Sequence, residues 1–479
     1  MPCLKSLSKM IRLFSLLVFA AAALPAAALS VRVSPGTLRD AVPAPASVAT
    51  LRIEGAVDAS DFAFIASEMT SLATLDISAA SISAYSGEPL HGLHSFEAAT
   101  LPHFILAGTS ISSIALPPSL AAIGDFAMAG TPVTEITLPE TVRSIGAGAF
   151  AGCTQLRAAS VAAPAAALGE GAFAQCTALQ RVALPQGAAV PDRCFAGCAS
   201  LAAVSGTDRA TAVGERAFQG CTALKELTFG TELKTIGAHA FSGSGLRHAD
   251  LGACSGLHTV EAAAFSGCGD LQSLSLPEGC DAGSAHALAM ACTALSQASL
   301  PVAEIADFSL AEADGIGRLT LYPSLAHIGD NAMEGMTGLA EIDATALTSV
   351  PALGEGVWSG VSQKTIKLHT APDMAEAFRC AAQWQEFDIR GQNSIDDIHA
   401  APAGGIRARF DGHILLIECR ETAAERIRVA DTEGRTLALL AVGTDGRAVL
   451  DTSPWSTHTY LLAAEGARAQ ATLKIARKH

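Results

Sequence analysis

The sequence predicts a solenoid: stacked coils with parallel strands on one face, followed by a small all-β sandwich at the C-terminus. Three observations predict it. The stretch Val213 to Thr235, VGERAFQGCTALKELTFGTELKT, recurs with a period of about 23 residues, the length of one supersecondary unit. Each copy joins a segment of period-two alternation to one whose apolar residues fall four apart. After Gln392-Asn393-Ser394 the period stops, and short alternating runs separated by turn residues replace it.

At the N-terminus, Lys5, Lys9 and Arg12 precede an apolar run from Leu13 to Leu24, and then Pro25-Ala26-Ala27-Ala28. That order predicts a secretory signal peptide over residues 1–28, cut after Ala28. The run is too short to span a bilayer, and no other stretch of that character follows, so no membrane span is expected. Residues 29–100 read as an N-terminal cap on the stack. Leu51 and Ile53 alternate as a strand, Asp61 is expected to cap a helix from Phe62 to Met69, and Leu72, Leu75 and Ile77 repeat the strand. The region Tyr85-Ser86-Gly87 is expected to be a loop.

Residues 101–391 form the stack and its closing cap. Coils restart at Leu101, Ile123, Ile145, Leu168, Val190, Val213, Ile236, Val260, Gly283, Ile305, Ile328 and Leu353. The Gly283 coil is irregular, because Cys292 falls one place late. The period lies inside the leucine-rich window. In each coil LxxLxLP makes a short strand with one buried face, and proline, lacking an N–H, stops it. The segment IGxxAFxGC places Ala149, Phe150 and Cys153 so that one helical turn points them inward. Gly146 and Gly152 suit turns with positive φ. One coil cannot bury its apolar side alone, and stacking supplies the core.

The chain has 479 residues, 50% hydrophobic and 16% charged, too apolar for disorder. Three Tyr and three Trp argue against an aromatic-rich carbohydrate groove. A net charge of −15 disfavours nucleic acid and anionic membranes as partners. Cys153, Cys176, Cys198, Cys221 and Cys268 share one place in their coils, a slot that Ser244 also fills. Buried thiols stacked from coil to coil explain them better than a metal or disulfide ladder. No zincin, nucleophile-elbow, phosphate-loop or calcium-loop motif occurs. His239, His248 and His258 fall on different parts of the coil, which argues against a metal site. No catalytic, cofactor or metal residues are therefore assigned.

The outward positions of the strand face are the candidate working surface. They are polar, small or charged with both signs, and Arg181, Glu226, His248, Asp250, Arg318 and Glu341 are the candidate binding residues. A broad shallow face suits protein or glycan partners better than a small molecule.

The coil LxxLxLPxx(L/V)xxIGxxAFxGC resembles the leucine-rich repeats of the Bacteroides surface protein A-like family over roughly residues 48–391. The stretch TIKLHTAPDMAEAFRCAAQWQEFDIR, ending at Arg390, resembles that family's closing cap, with Trp384 and Phe387 sealing the stack. Alanine at 159 and 298 departs from the usual strand residue and predicts a thinner core there. Residues 392–479, with IRVADTEGRTL from Ile427 to Leu437, THTYLL around Tyr460 and a basic end at Lys474, Arg477 and Lys478, resemble the sorting domain of type IX secretion cargo. The family's glycine before the tyrosine is replaced by His458 and Thr459. The resemblance implies handling by secretion machinery through this domain, and secretion or attachment to the outer membrane surface. A generic β-sandwich adhesion module is the alternative. The combined expectation is a non-enzymatic, adhesin-like protein that binds host or bacterial surface proteins or glycans. The alternatives are a secreted enzyme carried by the same tail, or a self-associating surface component.

Overall fold

The computed structural model describes residues 27–161, 166–185, 187, 189–391, 406–411, 414–419, 426–430, 436–442, 447–452, 459–466 and 469–476. The expected signal peptide, apart from its last two residues, lies outside them. The chain divides into two compact units. One holds the residues up to Ala340 with Pro351–Ser362, the other Glu341–Val350 with the residues from Gln363 on.

The first unit opens with parallel strands Ala27–Val33, Val48–Val57, Thr74–Ile82 and Ser113–Ala115, paired in that order. The helix Ala59–Glu68 lies between the second and third. Its N-cap is Asp58, not Asp61: Asp58 Oδ1 accepts the N–H of Ser60 at 2.9 Å, and Asp61 returns the bond by accepting the Asp58 N–H at 3.0 Å. This is a capping box built from two aspartates. Asp61 also accepts the N–H groups of Gly36 (2.8 Å) and Leu38 (2.9 Å), tying the preceding loop to the helix. Burial pushes its carboxyl pKa up, against the pull of those N–H groups. The region read as a loop at Tyr85 is instead a hairpin, Tyr85–Leu90 with Leu93–Phe96. Its turn residues His91 and Gly92 both have positive φ, as a tight two-residue hairpin turn demands.

Two ladders of short parallel strands then run along the coils. One comprises Thr100–Leu101, Ala122–Ile123, Ser144–Ile145 and Ala167–Leu168, then Ala212–Val213, Thr235–Ile236 and Thr259–Val260, then Glu304–Ile305, His327–Ile328 and Ala352–Leu353. Single bridges, Val190 to Val213 and Thr259 to Asp281, mark the two coils without a strand there. The pairing of Thr259 with Asp281 starts the irregular coil at Ala282 rather than Gly283. Ala289 then takes the place of Phe265, whose N–H donates to the carbonyl of the preceding Leu288 (2.9 Å), as that of Phe241 donates to Ala264. The second ladder carries Glu135–Leu138, Ala158–Val161, Arg181–Ala183 and Ala203–Ser205, then His248–Asp250, Ser273–Ser275 and Gln297–Ser299.

Ala149, Phe150 and Cys153 are fully buried, as the spacing requires, but the segment is not helical. It is a run of tight turns, and its N–H groups bond to the next coil: Gly148 to Glu170, Phe150 to Ala172 and Gly152 to Ala174, at 2.7–2.8 Å. Gly152 has φ +71°, whereas Gly146 has no positive φ. Gly146 is small because the previous coil passes too close: a Cβ there would sit 2.6 Å from the Asp125 nitrogen. Inside, Phe150, Phe173, Phe195, Phe218, Phe241 and Phe265 stack with centroids 5.2–5.7 Å apart. The thiols form a parallel column. Cys176, Cys198, Cys221 and Cys268 donate to the carbonyls of Phe150, Phe173, Phe195 and Phe241 at 3.1–3.2 Å. Ser244, in the same slot, lies 3.4 Å from the sulfur of Cys268. The ten cysteines from Cys153 to Cys380 are free thiols, and of these only Cys380 is exposed. Ala159 is buried and Ala298 half-buried in the strand row.

In the second unit Glu341–Ala344, Lys367–Thr370 and Asp388–Gly391 pair in parallel. Trp384 is buried, with the Phe378 ring edge-on at 5.2 Å and Phe387 at 5.8 Å. Among the described residues the tail holds seven strands, in two antiparallel sheets, where the sequence has its short alternating runs. One is Ile406–Asp411, Ile414–Cys419 and Arg447–Asp451. The other is Thr436–Ala441, Arg426–Ala430, Thr459–Gly466 and Ala469–Ala476. Leu415, Ile417, Ile427, Val429, Tyr460 and Leu462 are buried together.

Candidate binding surface

The strand ladder exposes every second residue, because successive side chains on a strand point to opposite faces. In Arg181–Ala183 and His248–Asp250 the outer residues are exposed and the middle one is buried. The candidate residues do not converge. Arg181 lies on one sheet, His248 and Asp250 on another, and Glu226 is exposed on a segment that forms no strand, between those two sheets. Arg318 is exposed on Arg318–Thr320. Glu341, in the second unit, is half-buried and lies 3.6 Å from Lys367 Nζ.

Only His248 and Asp250 share a neighbourhood, and it extends to residues on the next coils. His248 Nδ1 lies 2.9 Å from Ser273 Oγ, and Ser275 Oγ donates to Asp250 Oδ1 at 2.6 Å. On the adjoining coils Ser299 Oγ lies 2.8 Å from the Tyr322 hydroxyl. Hydroxyls, an imidazole and a carboxylate thus stand in a row on an open face, able to exchange hydrogen bonds with a polar partner. Nearby, the Lys225 ammonium, 2.7 Å from Asp270, holds that exposed carboxyl below its ordinary range. Among the described residues no group of three or more His, Cys, Asp or Glu side chains gathers as a metal site.

A second surface lies at the coil corners. Counting each coil from its restart, the fourth residue is left-handed: Phe104, Phe126, Gly148, Gly171, Arg193, Arg216, His239, Ala263, Phe308, Asn331 and Gly356 all have φ of 50–60°. The third residue supports the next corner. Asp125 Oδ1 accepts the Ala147 N–H, Asp192 the Glu215 N–H, and Asp330 the Glu355 N–H, at 2.7–2.8 Å. Arg193 bridges Glu170 and Glu215 along the same edge. Phe104, Phe126 and Phe308 are exposed there, unlike the buried phenylalanines of the core. Sequence reasoning passed over them, yet the signal was present. These coils read LPHFIL, IGDFAM and IADFSL, with phenylalanine in fourth place rather than sixth.

Residues 99–190 and 188–306 match the family described as BspA type Leucine rich repeat region, in six copies. The stack is a leucine-rich repeat solenoid. A leucine-rich repeat protein from Bacteroides ovatus is similar in structure, at 19% identity, covering 76% of this chain and 83% of that one, with a TM-score of 0.48. A leucine rich cell surface protein from Faecalibacterium prausnitzii is similar at 21% identity, covering 56% and 85%, with a TM-score of 0.36. The pneumococcal vaccine antigen PcpA is similar at 12% identity, covering 77% and 84%, with a TM-score of 0.31. No curated protein matches the chain. Among the described residues no helix of the solenoid or tail is long and apolar enough to cross a membrane.

Proposed function

We propose that this leucine-rich repeat protein is exported and works at the bacterial surface by binding protein or glycan partners, as an adhesin does. The observation that carries the reading is the division of labour within each coil. Inward positions are committed to the phenylalanine, leucine and cysteine columns, and outward positions present a long polar surface. Such a surface recognises partners by area and pattern rather than by enclosing a small substrate. The basic, apolar and small-residue order of residues 1–28 supports export, and the strand pattern of the tail supports a sorting role for residues 392–479.

The test is binding of the purified chain to matrix proteins, glycans and whole bacterial cells at physiological salt. Saturable binding to one class, weakened when His248, Asp250 and Arg318 are changed to alanine, supports the strand face as the working surface. Self-association with no other binding refutes the adhesin reading.

A further inference from the structure

Three features meet in the first two regular coils. The first is an apolar row. Phe104 and Phe126 are 42% and 38% exposed, and their rings stack with centroids 5.1 Å and planes 12° apart. The His91 ring at the hairpin turn continues the row, 6.2 Å from Phe104. Leu93, two residues further along the hairpin, is 42% exposed. A Cβ at Gly148 would collide with the Phe126 ring, so the next coil leaves that ring its space.

The second feature is strain without structural return. A phenylalanine in the left-handed region costs about 1 kcal/mol or more. The core does not need these rings, because Leu106 and Met128 fill the buried sixth positions of the same coils. At most other corners the fourth position holds Gly, Ala, Arg, His or Asn. Phe308 is exposed as well, but the neighbouring left-handed residues are Ala287 and Asn331, and it has no ring beside it in the row.

The third feature is charge. Between Arg52 and Arg143 the sequence has no Lys or Arg. Of the ten Asp or Glu there, Asp58 and Asp61 are buried in the helix cap, and Glu54, Glu68 and Asp76 pair with Arg52 or Arg39. That leaves Glu88, Glu97 and Asp125 without an arginine or lysine nearby in sequence. Glu88 and Glu97 are exposed on and just after the hairpin, and the half-exposed Asp125 carboxylate lies between the two phenylalanines in sequence.

We infer that this strip docks a Lys- and Arg-rich polypeptide segment, an inference that rests on the reading of the chain as a binding protein. Cations sit favourably over aromatic faces. The aliphatic stems of Lys and Arg cover apolar surface while their heads reach carboxylates. Self-pairing of the strip would set like charges against each other, and a neutral glycan would leave the acidity without a purpose.

The experiment uses the full chain and a short labelled peptide of alternating Arg, Leu, Lys and Ser, followed by anisotropy at physiological salt. Comparators are the same peptide with Glu for Arg and Lys, and a neutral oligosaccharide. Phe104→Asn with Phe126→Asn is the decisive variant, since Asn331 holds the same backbone conformation in this fold. Its melting curve checks that it folds. The expected result is saturable binding of the basic peptide alone, weakened about tenfold by the double variant. Binding unchanged by that variant means bulk charge only, and overturns the inference. So does preference for the oligosaccharide, or self-association that the variant abolishes. Wild-type binding to the matrix and cell panel without peptide binding sinks the strip and leaves the proposed function standing. Binding to neither sinks both.

Discussion

Replacing Phe218 with leucine should loosen the solenoid more than the same change at Phe150. Both side chains are fully buried, so the volume removed is the same. Their neighbours differ. Phe218 stacks on Phe195 at 5.4 Å and on Phe241 at 5.5 Å, whereas Phe150 stacks only on Phe173 at 5.2 Å, with Met128 filling the slot before it. Leucine fits the position, since Leu310 occupies it, fully buried, in the coil from Ile305. Each stacked pair is worth about 0.5–1.5 kcal/mol beyond area burial, so Phe218→Leu should cost that much more than Phe150→Leu. A long repeat array does not unfold in one step, so a global midpoint is a poor readout. Amide hydrogen exchange reads each coil separately. Opening of the coil from Val213 should accelerate about 2- to 12-fold more in Phe218→Leu than opening of the coil from Ile145 does in Phe150→Leu. Equal acceleration in the two variants would show that stacking adds nothing to burial here.

The remaining predictions concern the thiols, the cap and the coil corners. Burial pushes the Cys198 thiol from an ordinary 9.0 up to about 12. Below that window the folded and unfolded chains both hold the proton; within it only the folded chain does, so the contribution of Cys198 to stability falls as pH rises from about 9 to about 12. At mildly alkaline pH a thiol reagent should label Cys380 in the native protein and leave the buried column unlabelled until denaturation, as mass mapping would show. Asp61→Ala strips the acceptor from Gly36, Leu38 and Asp58 and should cost about 2–4 kcal/mol, read as faster exchange over residues 27–82 while residues 123–260 stay protected. Gly146→Ala presses a methyl onto the backbone of the previous coil and should cost about 1–3 kcal/mol, whereas Gly269→Ala, with open space around it, should be neutral by thermal melting.

The period made the stack legible, because each coil repeats the same inward residues and the structure puts those residues at equivalent heights. The tail was legible for the same kind of reason, alternation bounded by turn residues. What the sequence hid depends on contacts that exist only after stacking. The role of Gly146 is set by Asp125, a whole coil earlier. The hairpin turn at His91-Gly92 carries none of the usual turn pairs. The helix cap moved from Asp61 to Asp58 because both aspartates take part in one reciprocal arrangement, and spacing alone does not say which is outermost. The candidate face was legible as a row of outward residues, but not as a site. Pairing of His248 with Ser273, and of Asp250 with Ser275, depends on which coils lie side by side in register.

Both strand ladders are interrupted along the stack, and the bonds of the coil corners run past the breaks. The ladder of Arg181 and His248 breaks in the coil that carries Glu226, while the ladder of Val213 and Ile236 continues through that coil and the stacked rings of Phe218 and Phe241 cross it. Among the described residues the other ladder has no pairing from Leu168 to Val190 or from Asp281 to Glu304; beside the first gap Arg181 still pairs with Ala203, but beside the second the row of His248 also ends, at Gln297–Ser299, before Arg318–Thr320. At that second gap the coil corners hold the stack: the N–H groups of Ala287, Ala289 and Ala291 donate to the carbonyls of Asp307, Ser309 and Ala311 at 2.7–2.8 Å. A pulling force therefore meets a row of corner hydrogen bonds even where both strand ladders are open, a useful property for a protein that would hold a partner under flow.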